Sequence, residues 1–157
     1  MGLMAEPTEE EVVREFVERT SRGETDGIEI EHRVAGGMPG EHRVSEEVTV
    51  SATGLARARS NDARASEAST ASLDSAQTRD LFRRLGEGAS NLVPRSQARF
   101  LPDSLVGAVT IKVDEHEATL FYLADQNERE TQQQLLPPET AEAVNDFSRL
   151  TQRLLHE

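Results

Sequence analysis

Apolar residues recur along this chain with two different periods. In "PTEEEVVREFVERTSRG" Val12, Val13, Phe16 and Val17 fall on one stripe at helical spacing. Thr8, with Glu11 three residues on, is the reciprocal pair that satisfies orphan amides at a helix start, and Gly23 is placed to end the run. From Ile28 the period becomes two: Ile28, Ile30, His32 and Val34 share one face, and Glu29, Glu31 and Arg33 share the other. "RVSEEVTVSA" continues the alternation through Val44, Val48 and Val50. The stretch from Ile28 to Ala52 therefore reads as a hairpin turning at "AGGMPGE".

In residues 52 to 72 Leu55 is the sole large apolar anchor. The first residues are able to complete a third strand, and 56–72 read as a mobile loop that buries too little surface to offset its ordering. "LDSAQTRDLFRRLGEGASNLV" predicts a second helix, capped by Asp74 or Ser75, with Leu81, Phe82, Leu85, Ala89 and Leu92 as its apolar face. Gly86 and Gly88 are expected to kink or end it. "VPRSQARFLPDS" reads as linker, because both prolines are unwelcome in a helix or central strand. "VGAVTIKV" and "EATLFYL" flank "DEHE" as a second hairpin, and "ADQNERETQQQLL" reads as loop or a turn of helix. The closing "PPETAEAVNDFSRLTQRLL" is a helix with Val144, Phe147, Leu150 and Leu154 on one stripe.

This order predicts an α+β fold: an antiparallel sheet of about four or five strands with helices packed on one face, plus an extra N-terminal helix. The length of 157 residues suits a single domain, 1–157, in which 1–23 form a helical extension ahead of the 28–155 core.

Charge narrows the partners. Asp and Glu outnumber Lys and Arg 29 to 17, a formal net charge of -12, which argues against nucleic acid and anionic membranes and favours cationic or neutral partners. Lys112 is the only lysine among the 17 basic residues, a bias that a GC-rich genome and a salt-adapted (halophilic) host would both produce. The chain has no cysteine, hence no disulfide, thiol nucleophile or thiolate metal site. Its opening residues lack the basic and apolar regions of a signal peptide, and no apolar run is long enough to span a membrane, so a soluble cytoplasmic protein is expected.

Chemistry concentrates in "HRVAGGMPGEHRV", residues 32–44. A phosphate cradle needs glycines between a strand and a helix; here a second strand follows, no Gly-Lys-Ser/Thr is present, and Pro39 removes an amide. A metal site would draw on His32 and His42 with Glu31, Glu41 or His116, but lacks the spacing of known zinc ligand sets. No serine occupies a nucleophile elbow, and Glu46 with Glu47, or Asp114 with Glu117, are ordinary for a chain with 29 acidic residues. No catalytic residue, cofactor or metal ligand is therefore assigned. The remaining reading is an exposed tip: Gly36, Gly37 and Gly40 permit unusual backbone conformations, Pro39 stiffens one side, and Met38 is an adaptable apolar group for a partner's groove. A hairpin turn whose glycines serve geometry alone accounts for the same residues.

The region from Ile28 to Leu155 resembles the emfourin family, small proteins that inhibit thermolysin-like (M4) metalloproteases. The residues that carry the resemblance are "IEIEHRVAGGMPGEHRV", "LDSAQTRDLFRRLGEGASNLV", "AVTIKV" with "ATLFYL", and "AVNDFSRLTQRLL". Gly36, Gly37 and Gly40 match the family's glycine positions, and Met38 and Pro39 stand where it tends to carry Phe and Ala. The N-terminal helix and residues 52 to 72 depart from the family pattern. The resemblance implies a non-catalytic domain without a cofactor that occupies a protease cleft through exposed loops, contacting it with Gly36, Gly37, Met38, Pro39 and Gly40. The alternative is a structural protein of a salt-adapted cytoplasm that forms a homo-oligomer through an edge strand or a helix stripe.

Overall fold

The computed structural model describes residues 7–36, 44–60, 69–97, 106–123 and 136–156. The chain opens with α1 (Glu9–Ser21), capped by Thr8 and Glu11 in the reciprocal manner its sequence suggests. Strands β1 (Ile28–Gly36), β2 (Val44–Val50), β3 (Leu55–Ser60) and β4 (Ser69–Ser72) follow. Helix α2 (Ser75–Gly88) leads through a short 3-10 turn to β5 (Val93–Pro94), then β6 (Val106–Val113), β7 (His116–Leu123) and α3 (Pro138–His156).

Among the described residues seven strands join one antiparallel sheet in the order β4-β3-β2-β1-β6-β7-β5. This corrects the expected four or five strands, and the additional strands share a physical reason. β3 alternates with period two, but its inward residues are Ala56, Ala58 and Ser60, too small to register as a hydrophobic stripe. β4 has no large side chain at all, and its pairing with β3 holds it in place. The mobile-loop reading of 56–72 thus fails for 56–60 and 69–72, while 61–68 lie outside the described residues. Pro94 misled in the opposite way: β5 lies on the sheet edge, where a missing amide costs no ladder hydrogen bond.

The helices cover one face. α1 lies against β6 and β7, α3 against β2 and β3, and α2 packs between α1 and α3. Their stripes meet the inward residues of the sheet in one core that includes Phe16, Phe82 and Phe147, all fully buried, with Ile28, Ile30, Val48, Val50, Val109 and Ile111. α2 runs through Gly86 and ends at Gly88, one of the two glycines expected to kink or end it. A Cβ on Gly86 would sit 2.6 Å from the Thr20 hydroxyl oxygen, so the glycine is what lets α1 and α2 approach. At the far end of α1, Arg19 donates to Glu15 at 2.8 Å and to Asp114 at 2.8 Å. That pair ties the helix to the β6–β7 turn, where Asp114 takes a left-handed φ of 57° and donates its amide to the Gly27 carbonyl at 2.8 Å.

Phe16 gives the N-terminal helix a direct share of the core. Phe16→Ala is expected to lower unfolding free energy by about 3–5 kcal/mol in urea denaturation, from lost transfer energy and the cavity left behind. A loss below about 1 kcal/mol would mean that α1 sits on the sheet without bearing load.

Candidate functional site

β1 is the middle strand of the seven, hydrogen-bonded to β2 on one side and β6 on the other. Its last described pair with β2 is Gly36 with Val44, and Ala35 pairs with Val106 of β6. Because every neighbouring pair is antiparallel, Gly36, Val44, Ser60, Ser69, Val106 and Leu123 all lie at the same end of the sheet. The "AGGMPGE" connection leaves from and returns to the middle of that end. Of the candidate contact residues, Gly36 closes β1; Gly37, Met38, Pro39 and Gly40 lie outside the described residues, as does His42.

Just below this end, the inward face of β1 carries a polar group where an aliphatic one would be ordinary. His32 is buried at 1% exposure, and its Nε2 lies 2.5 Å from the Tyr122 hydroxyl. The two residues are not on adjacent strands, since β6 runs between β1 and β7. Gly107 makes the reach possible: it pairs with Tyr122 on one side and with Val34 on the other. A Cβ at that position would lie 2.1 Å from the tyrosine ring, so any side chain larger than hydrogen would push the phenol off β6. Phe147 of α3 stacks on the imidazole at 5.7 Å between ring centroids, and Tyr122 stacks at 5.9 Å.

Burial pushes the His32 pKa down from 6.5 to about 4. It pushes the Tyr122 phenol well above its usual range, a rise only moderated by a hydrogen bond with Ser148 of α3. Both groups are neutral at pH 7, and one hydrogen bond joins them. The arrangement joins β1, β7 and α3 at the root of the candidate loop. A residue committed this way has a structural role: it is closed to solvent and lies against rings rather than beside an open cavity.

The other chemical candidates separate in space. His116 is exposed at the start of β7, level with Val113, and Ile28 pairs with that same Val113, so His116 and His32 are about four residues of strand apart. Among the described residues no three His, Asp or Glu side chains are close enough to share a metal ion. Glu46 and Glu47 follow each other on β2 and so face opposite ways: Glu46 accepts from Gln152 of α3 at 2.8 Å, and Glu47 accepts from Arg33 at 3.0 Å. Asp114 is held by Arg19, and Glu117 is exposed on the other face of β7. None of these pairs forms a two-carboxylate catalytic centre.

The helix-free face of the sheet is polar. Glu29, Glu31, Thr49, Ser51 and Lys112 with Leu55, Arg57 and Arg59 line a shallow concavity of about 400 Å³ there. Burial raises the Glu31 pKa, with Glu47 beside it adding to the rise. Burial acts on Glu47 too, but hydrogen bonds with Glu31 and Arg33 hold its pKa below the usual value. A larger groove of about 840 Å³, lined by Thr8, Val13, Leu92, Pro94 and Leu120 among others, flanks the first turn of α1. Glu9 in its wall already accepts from the Thr119 amide at 2.9 Å. Among the described residues, no helix is long and apolar enough to cross a membrane.

The sequence offered signals for the His32 contact only in part. His32 shares parity with Ile28 and Ile30, and Gly107 falls on the inward parity of "VGAVTIKV". The partner Tyr122, ninety positions away, had no local mark. No protein-family model and no curated protein sequence matches this chain.

The depressed pKa of His32 has a signed effect on stability. Above about pH 6.5 the imidazole is neutral folded and unfolded. Between pH 6.5 and pH 4 the unfolded chain binds a proton that the folded protein excludes, so stability falls as pH drops through that window, by on the order of 3 kcal/mol. Urea midpoints of wild type and His32→Gln measured from pH 8 to pH 3.5 should run parallel above about 6.5 and converge below it. Parallel lines throughout would remove His32 as the source.

Proposed function

We propose that this chain is a non-catalytic protein-binding domain that captures its partner with the loop end of the sheet, and that the partner is a thermolysin-like metalloprotease. One observation carries the binding role: the "AGGMPGE" connection is rooted in the central strand pair, beside four further strand ends. Rigid sheets that carry sequence-variable connections at one end are a common way to build a recognition surface, because the scaffold absorbs none of the binding energy in rearrangement. The His32–Tyr122 contact supports the same reading, since it stiffens β1 four residues before Gly36. The choice of a metalloprotease rests on the resemblance of the glycine-led segment to emfourins. In this reading Met38 enters the partner's groove between Gly37 and Pro39, and no cofactor takes part.

The test is inhibition of a thermolysin-like protease by the purified protein, with a parallel pull-down from host lysate and secreted fraction. Wild type should inhibit, and Met38→Asp should weaken inhibition at least about tenfold, because a charge in an apolar groove is left desolvated and unpaired. The urea midpoint of the variant should match wild type. No inhibition together with a stable self-complex would replace the reading with an oligomerising structural protein; inhibition that Met38→Asp leaves unchanged would move the contact away from the tip.

A further inference from the structure

The two edges of the sheet are treated differently. The β5 edge is closed off: β5 has two residues, one of them Pro94, and the Thr119 amide that β5 does not reach is taken by Glu9 of α1. The β4 edge has none of these features. Its four residues, Ser69, Thr70, Ala71 and Ser72, include no charge and no proline, and among the described residues no strand pairs with its outer side. The ladder fixes which main-chain groups face outward. The Leu73 amide donates to the Gly54 carbonyl at 2.8 Å, and bonded and unbonded pairs alternate in an antiparallel ladder. Ala56 with Ala71 and Ala58 with Ser69 are therefore bonded to each other, leaving the N–H and C=O of Thr70 and Ser72 turned away from β3.

The side chains beside this edge select what could pair there. On the helix-free face β3 presents Leu55, Arg57 and Arg59 in succession, all exposed. Leu55, at 49%, is the one exposed large hydrophobic among the described residues. Arg57 pairs in register with Thr70 and Leu55 with Ser72, whose short side chains leave their β3 neighbours uncovered. Arg33, Arg83, Arg84 and Arg19 all hold carboxylates, whereas Arg57 and Arg59 make no ion pair among the described residues. Glu47, opposite Arg59, is hydrogen-bonded to Arg33, and the charge of Arg59 also helps hold its pKa down. The face as a whole is balanced, with Glu29, Glu31, Glu47 and Glu117 against Arg33, Arg57, Arg59 and Lys112, in a chain whose net charge is -12. Within it, Arg57 lies on the β3–β4 side, level with Thr70.

We infer that the β4 edge accepts an extended acidic peptide as an eighth strand. Its main chain would bond to Thr70 and Ser72, and a carboxylate level with Thr70 would meet Arg57 across two strand spacings, about 9.5 Å. That span is within the summed reach of an arginine and a glutamate side chain. An apolar residue at the Ser72 level would cover Leu55. Net negative charge opposes such a peptide elsewhere on the surface, but at physiological salt it is screened beyond about 8 Å, which leaves Arg57, level with Thr70, as the charge that the described part of the edge offers. A second copy of this chain brings no carboxylate to the arginine through the same edge, because β4 itself is Ser69, Thr70, Ala71 and Ser72. This surface is separate from the loop end, and neither role requires the other.

The measurement is fluorescence polarisation with the full chain at physiological salt, using a labelled heptapeptide that alternates threonine with glutamate and a counterpart with lysine for glutamate. The glutamate peptide should bind at least about tenfold more tightly than the lysine peptide, and Arg57→Glu with Arg59→Glu should reverse that preference. Thr70→Pro should weaken both peptides, with an unchanged urea midpoint as the control for folding. Absence of binding, equal binding of the two peptides, or a charge-reversed variant that behaves as wild type would each overturn the inference. So would a dimer in sedimentation that Thr70→Pro dissolves, which would give the edge to a second copy.

Discussion

Everything in this structure is arranged around a central strand that carries a histidine on its buried face. β1 has no free edge, so its amides and carbonyls are satisfied by β2 and β6, and Ile28 and Ile30 fill the layer beneath the helices. His32 in the same row is tolerable only as a neutral imidazole with a hydrogen-bond partner, because an unpaired polar atom or a charge at that depth costs more than the strand's packing returns. Tyr122 supplies the partner, Gly107 the path to it, and Phe147 the lid of the site. Four elements thereby depend on one hydrogen bond between two side chains.

The sequence was most legible where side chains were large. Both hairpins, the three helices, the cap at Thr8 and a second cap at Asp74 or Ser75, which the structure places at Asp74, could be read from periodicity and local hydrogen-bonding logic, because valine, isoleucine and phenylalanine mark the buried parity. It was least legible where the buried side chains are small. β3 and β4 fill the space under α3 with alanine and serine, which satisfy packing by allowing close approach and leave no hydrophobic signal. The loop of Gly36 to Gly40 could be picked out by glycine content, but its mooring could not. The His32–Tyr122 contact joins positions that only the sheet order brings together, and strand order is a global property that no window of sequence contains.

The sheet also divides labour between its two faces. One face is closed by helices and carries the apolar residues; the other leaves balanced charge open to water. With 29 acidic residues in the chain, the excess negative charge resides elsewhere, on helix surfaces and connections. Such a distribution keeps molecules apart through most orientations of approach while leaving one face without net repulsion, which is a means of making encounters directional.

The strand order has a consequence for synthesis. β1 meets β2 after a seven-residue connection, but its other neighbour, β6, begins at Val106, with β3, β4, α2 and β5 made in between. A growing chain therefore holds a hairpin whose inner strand has one open side and a row of Ile28, Ile30 and His32 without a roof, until the last third of the polypeptide has emerged. Contacts of such long separation slow folding, and the waiting edge is the part of the molecule most exposed to pairing with a neighbouring nascent chain. The strand that ends as the best-protected element is one that waits for a distant neighbour.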